Sequence, residues 1–137
     1  MTLEHGDFAR SSLPPCDAIV ATLALHHILS TNAKQRFYRR CYEALRPGGV
    51  LVSGDAFVSE DPAHAAEELE PWRRHMRRTY SPKKVESFLE AWAGEDRYLS
   101  SRTELRLLDD SGLEAEVAWR RAPFGVLVGR KARSAPR

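Results

Sequence analysis

The chain has 137 residues, 21 Lys+Arg against 19 Asp+Glu, 42% hydrophobic residues and two cysteines. That size suits one domain with its own core and no metal or disulfide staples, and the apolar content with three tryptophans excludes wholesale disorder. No apolar run approaches the ~20 residues of a membrane span, the opening Met1–His5 lacks the basic and apolar regions of a signal peptide, and Cys16 and Cys41 stand apart from any metal-spaced partner, so a reduced, cytoplasmic protein is expected.

The charge is unevenly placed. Arg130, Lys131, Arg133 and Arg137 crowd into the last residues without an acid among them, so the rest of the chain is mildly acidic. That balance speaks against a basic nucleic-acid-binding face. Neither nucleic acid nor membrane is expected as a partner, and residues 130–137 read as a basic, disordered tail.

In chain order, Thr2–Glu4 reads as a short strand, followed by Gly6-Asp7-Phe8 and a Ser/Pro turn ending at Pro15. Asp17–Leu25 is apolar nearly throughout. Its short length and flanking prolines predict a strand buried on both faces, as in parallel sheets covered by helices. Asn32–Arg46 predicts a helix, with Phe37, Cys41, Ala44 and Leu45 on one stripe and Thr31 or Asn32 as its cap. Pro47-Gly48-Gly49 ends that helix, and Val50–Phe57 follows as a second central strand. Strand, helix and strand with short connections form a βαβ unit, so the two strands should run parallel.

Residues 61–79 predict a long amphipathic helix capped by Asp61, with Pro62 at its first position. Ala65, Leu69, Trp72 and Met76 make its apolar stripe. Glutamates lie early and arginines late, which suits the helix dipole, and Glu70 is placed to pair with Arg74. Pro71 predicts a kink or break. A second helix starts at Ser81-Pro82 and repeats Val85, Phe88, Leu89 and Trp92 at helical spacing. A third, Arg102–Asp110, carries Ser101 and Glu104 at capping-box spacing and Gly112 as its C-cap. Glu114–Arg120 and Gly125–Arg130 read as the closing strands. Residues 1–129 therefore form one domain with a helical insertion at about 60–100.

Three stretches now stand in order. A buried strand ends in Leu25-His26-His27-Ile28. A helix ends in Glu43-Ala44-Leu45-Arg46-Pro47-Gly48-Gly49-Val50-Leu51, with Asp55 closing the next strand. Ser111-Gly112-Leu113 leads to Trp119 and Phe124. This arrangement resembles the C-terminal half of a class I S-adenosylmethionine-dependent methyltransferase, in particular the ubiquinone/menaquinone-type small-substrate group. The resemblance implies an α/β, Rossmann-like fold whose incomplete sheet has parallel central strands and an antiparallel C-terminal strand. It also implies methyl transfer from S-adenosylmethionine to a small molecule. The family's glycine-rich loop, GxGxG, is absent, and so is the acid that ends its second strand. By position, the resemblance implies that Asp7 and Phe8 meet the adenine and that Thr22 touches the cofactor.

His26 and His27 follow the carboxyl end of a strand, where ligands bind in open α/β sheets. His27 is assigned as a catalytic residue that accepts a proton, and His26 as a substrate contact; a histidine bonded into the following turn is the plain alternative. Metal binding by the pair is not expected, because adjacent residues of a strand point to opposite faces. Asp55 is the catalytic carboxylate that faces the substrate. Trp72, Met76 and Tyr80 are candidates to close over it, against simple core packing. The Arg73–Arg78 cluster reads as a solvated face, and Glu95–Tyr98 as a loop whose charges pair locally.

The expected function is that of a truncated or partner-completed methyltransferase, with S-adenosylmethionine bound weakly or not at all by this chain alone. The alternative is a non-catalytic interaction module built on a methyltransferase scaffold. The strand at 17–25 should present a bare edge. That edge would pair with a second copy or an N-terminal partner chain, be covered by residues 1–16, or cause aggregation.

Overall fold

The computed structural model describes residues 1–133. Strands β1 (Cys16–Thr22), β2 (Leu45–Ala56), β3 (Glu114–Arg121) and β4 (Phe124–Arg130) form one sheet in the order β1-β2-β4-β3. β1 and β2 are parallel, with Ile19 opposite Leu51 and Thr22 opposite Gly54. β4 runs antiparallel to both β2 and β3. The α/β class, the parallel central pair and the antiparallel C-terminal strand are as the residues implied. Helices α1 (Thr31–Ala44), α2 (Pro62–Met76), α3 (Pro82–Ala93) and α4 (Ser101–Asp110) complete the fold, with a single 3-10 turn at Leu25–His27.

Side chains of β2 alternate. Leu51, Ser53 and Asp55 are buried, whereas Val50, Val52 and Gly54 are half-buried. Leu51 joins one core cluster with Phe37, Tyr38 and Cys41 of α1, Leu107 and Leu108 of α4, and Leu127 of β4. A charged lock sits inside this core. Lys34 of α1 and Glu104 of α4 are each 2% exposed, and Lys34 Nζ donates to Glu104 Oε1 at 2.5 Å. The Tyr38 hydroxyl donates to the other carboxylate oxygen. Glu104 is thus not half of a capping box. The Ser100 hydroxyl caps α4 instead, accepting from Thr103 N–H at 3.1 Å, and Glu104 turns inward because a buried ammonium needs a counter-charge.

Other expectations shift for local reasons. Ser30, not Thr31 or Asn32, caps α1. The helix stops at Ala44, and the chain passes directly into β2. Pro47-Gly48-Gly49 therefore lies within a strand, at an irregularity of the β1–β2 register. A Cβ on Gly49 would stand 2.8 Å from Arg46 O and 3.0 Å from Asp17 O, so only glycine lets the strands approach there. α2 runs unbroken through Pro71; that residue is exposed, and the helix simply forgoes one backbone bond. Glu70 pairs with Arg77 rather than Arg74, and Arg73 pairs with Glu86 of α3.

Two expectations about the ends change. Arg130 belongs to β4. Lys131 N–H donates to Gly49 O at 2.9 Å, and its ammonium donates to Tyr42 O and Leu45 O at 2.8 Å each. Of the tail expected at 130–137, residues 134–137 lie outside the described residues. At the other end, Thr2–Glu4 is not a strand. Ala9 and Leu13 pack against the core, and Arg40 donates to Ala9 O, so the first residues do not pair with β1. β1 is an edge strand with β2 as its sole neighbour among the described residues. Val20 is 71% exposed, not buried as the apolar run suggested. None of the described helices is long and apolar enough to cross a membrane.

Two measurements check this core. Replacing Lys34 with Ala strands the Glu104 carboxylate and should cost about 3–5 kcal/mol by denaturant titration, far more than the paired change Lys34→Met with Glu104→Leu. A Lys34→Ala chain as stable as the parent would contradict the lock. Burial pushes the Cys41 thiol up to about 12. At mildly alkaline pH it stays a protonated thiol, so an alkylating reagent should label Cys16, which is half-buried, and reach Cys41 only after unfolding.

Candidate active site

β1 leaves the sheet at Thr22. Leu23 N–H still donates to Gly54 O at 2.8 Å, but Leu23 has a φ of 51°, a left-handed conformation costly for leucine. That residue ends the strand and swings the chain into the Leu25–His27 turn. The turn runs past the carboxyl end of β2, where Asp55 sits.

Asp55 is 4% exposed and receives three donors. Its Oδ2 accepts from His26 N–H at 3.1 Å. Its Oδ1 lies 2.7 Å from His26 Nδ1 and accepts from Ala56 N–H at 2.8 Å. A buried carboxylate so supplied remains an acceptor. Asp55 thus takes up the Nδ1 side of the His26 ring and leaves Nε2 as the nitrogen on the side of Asp96. His26 itself is 8% exposed.

The loop after α3 closes the other side. Arg97 N–H donates to His26 O at 2.8 Å, which ties loop and turn together. Asp96 Oδ1 stands 3.0 Å from His27 Nδ1 and 3.7 Å from His26 Nε2. Asp96 Oδ2 accepts from the Tyr98 hydroxyl at 3.0 Å. Burial, and then the bond to Asp96, raise the Tyr98 phenol well above its usual range, so it serves as a standing donor. The imidazole of His26 thus lies between two carboxylates.

This cluster opens on a cavity of about 300 Å³ lined by Leu23, His26, Asp55, Trp72, Trp92 and Tyr98, with Phe124 at its wall. The walls are aromatic. Trp72 stacks on Trp92 with centroids 5.6 Å apart and 17° between planes, and meets Phe124 at 5.5 Å. α2 is anchored by Arg120, which donates to Glu68 Oε2 at 2.7 Å and to Phe57 O at 2.8 Å.

Of the residues singled out by sequence, the structure brings His26, Asp55 and Trp72 to this cavity. His27 is attached to its rim through Asp96, with a side chain 54% exposed. The histidine joined to Asp55 is His26, not His27. Met76 is buried and Tyr80 packs edge-on against Phe88 at 5.1 Å; neither lines the cavity. The Arg73–Arg78 stretch is engaged in exposed ion pairs, as its pattern suggested. Asp96, Tyr98, Trp92 and Phe124 were missed. Trp92 was visible as part of the α3 stripe, but nothing local marked Asp96 for more than pairing within its loop.

Asp7, Phe8 and Thr22 lie apart from the cavity. Asp7 Oδ1 accepts from Ala9 N–H at 3.0 Å in its own turn, and Oδ2 stands 3.7 Å from the Arg10 guanidinium. Phe8 packs edge-on against Phe37 at 5.9 Å. Thr22 is exposed at the end of β1.

Comparison with known proteins agrees with this architecture. Residues 1–71 match the family model described as an O-methyltransferase domain. An "Uncharacterized methyltransferase" of Anoxybacillus flavithermus is 38% identical over 68 residues, covering 47% of this chain and 32% of that protein. Among solved structures, human N-acetylserotonin methyltransferase in complex with SAM superposes with a TM-score of 0.61 at 19% identity, covering 94% of this chain and 33% of that one. An O-methyltransferase family 2 protein from Planctomyces limnophilus, in complex with apigenin, gives 0.62 at 17% identity, covering 93% and 33%. The chain spans about a third of the length of these relatives. The match falls on the O-methyltransferase domain and lends no support to the ubiquinone/menaquinone-type group. With that family model matching half of its residues, the chain belongs to the O-methyltransferase domain family.

Proposed function

We propose that this chain is the acceptor-side half of an S-adenosylmethionine-dependent O-methyltransferase acting on a small aromatic hydroxyl compound. The observation that carries it is the His26–Asp55 pair facing an aromatic-walled cavity. Methylating a hydroxyl oxygen requires its proton to leave. His26 Nε2 takes that proton, while Asp55 on Nδ1 and Asp96 near Nε2 stabilise the imidazolium that results. Trp72, Trp92 and Phe124 fit a flat ring. The apigenin complex of one structural neighbour is in keeping with such an acceptor. On this reading further contacts to the cofactor come from a segment outside these residues, and β1, paired on one side only among the described residues, offers it an edge. A non-catalytic interaction module remains the second reading, favoured by the exposed Val20 on that edge.

Two experiments separate these readings. Calorimetry of the chain alone with S-adenosylmethionine should show no saturable heat at millimolar ligand; micromolar binding would overturn the division of labour. Next, the chain is supplied with the glycine-rich half of a relative, and phenolic methyl ethers are scored by mass spectrometry. His26→Ala or Asp55→Asn should lower the rate by about 10²–10⁴-fold, whereas His27→Ala should cost much less. Transfer that survives loss of His26 would exclude the proposed base, and no transfer in any assembly would favour the module.

A further inference from the structure

We propose that His26, His27 and Asp96 form a binding site for a divalent transition-metal ion, zinc being the best match. Adjacent histidines on a strand would diverge, but these two sit in a 3-10 turn. Their ring centroids are 4.1 Å apart, tilted by 48°. One donor atom from each of the three residues lies within 4.8 Å of the others. Asp96 Oδ1 is 3.0 Å from His27 Nδ1 and 3.7 Å from His26 Nε2. In a tetrahedral zinc site with bonds near 2.0–2.1 Å, ligand atoms stand roughly 3.3–3.4 Å apart. The two distances bracket that edge, and the third, between the histidine nitrogens, is within 4.8 Å, so the exposed His27 ring is the part that adjusts to close on an ion.

The outer shell is already in place. Metal-bound histidines usually donate their second ring nitrogen to a carboxylate, and bound carboxylates are themselves hydrogen-bonded. Asp55 occupies His26 Nδ1 at 2.7 Å, and the Tyr98 hydroxyl occupies Asp96 Oδ2 at 3.0 Å. Two imidazoles and one carboxylate suit zinc, cobalt or nickel, not magnesium or calcium, which take oxygen ligands. Three protein ligands leave a fourth position open for water or a ligand from the cavity. An ion there occupies the Nε2 lone pair of His26, so metal and proton compete for one atom and zinc inhibits proton transfer at this site. Metal binding itself stands independently of the methyl-transfer reading.

The test is calorimetry of the whole chain with zinc chloride, in thiol-free buffer, with folding of each variant checked by circular dichroism. The expected result is saturable one-to-one binding that His27→Ala and Asp96→Asn each weaken at least tenfold. His27→Ala alters an exposed side chain, so it should leave the fold intact. Asp55→Asn, which contacts no metal, should weaken binding ten- to a hundredfold by releasing His26. His64→Ala, on α2 and outside the cluster, should change nothing, and excess magnesium should not compete. Absence of saturable zinc binding would overturn the site. So would binding that His27→Ala and Asp96→Asn leave unchanged. Because the readout needs neither cofactor nor acceptor, it stays decisive if no methyl transfer is found.

Discussion

Asp55 is a carboxylate removed from water, and everything at the site follows from how it is satisfied. A buried charge left without donors would be costly. Here the donors are two groups of His26 and the N–H of Ala56. His26 reaches Asp55 because β1 and β2 are parallel and in register up to Thr22 and Gly54. Their carboxyl ends therefore arrive together, and Leu23, just after β1, and Asp55, at the end of β2, line the same crevice, as in other open α/β sheets. The left-handed Leu23 turns the chain sharply enough for the next residues to fold back over Asp55.

The helical layer depends on the same corner. The loop after α3 is fastened by Arg97 N–H to His26 O and by Val58 N–H to Leu99 O, at 2.8 and 3.0 Å. That attachment carries Asp96 and Tyr98 to the imidazole. α2 is fixed to the sheet through Arg120 and Glu68, and its Trp72 meets Trp92, Tyr98 and Phe124. The aromatic wall of the cavity is thus drawn from three separate parts of the chain. The Lys34–Glu104 pair holds α1 against α4 and so fixes the helix that joins β1 to β2.

Much of this was legible in the sequence. The two apolar runs, the helix between them and the Pro-Gly-Gly stretch give the βαβ unit, and Asp55 and the paired histidines fall at strand ends. The role of each histidine was not legible. Strand alternation assigns them opposite faces, but a leucine gives no sign that it will adopt a positive φ and start a 3-10 turn. Asp96 and Tyr98 were hidden for another reason. They reach the site through contacts between segments remote in sequence, which leave no local periodicity. Glu104 misled because its spacing from Ser101 is that of a capping box, while its partner Lys34 lies in another helix. Val20 misled because apolar composition cannot show whether a helix covers that face of the sheet.

In the proposed proton transfer Asp55 holds the His26 proton on Nδ1, which leaves Nε2 to act as the base. Long-range proton–nitrogen NMR of the nitrogen-15-labelled chain reads that tautomer directly. The structure predicts a protonated Nδ1 and an unprotonated Nε2 for His26 at neutral pH, a preference that Asp55→Asn alters. A His26 that carries its proton on Nε2, unaffected by Asp55→Asn, would contradict the account.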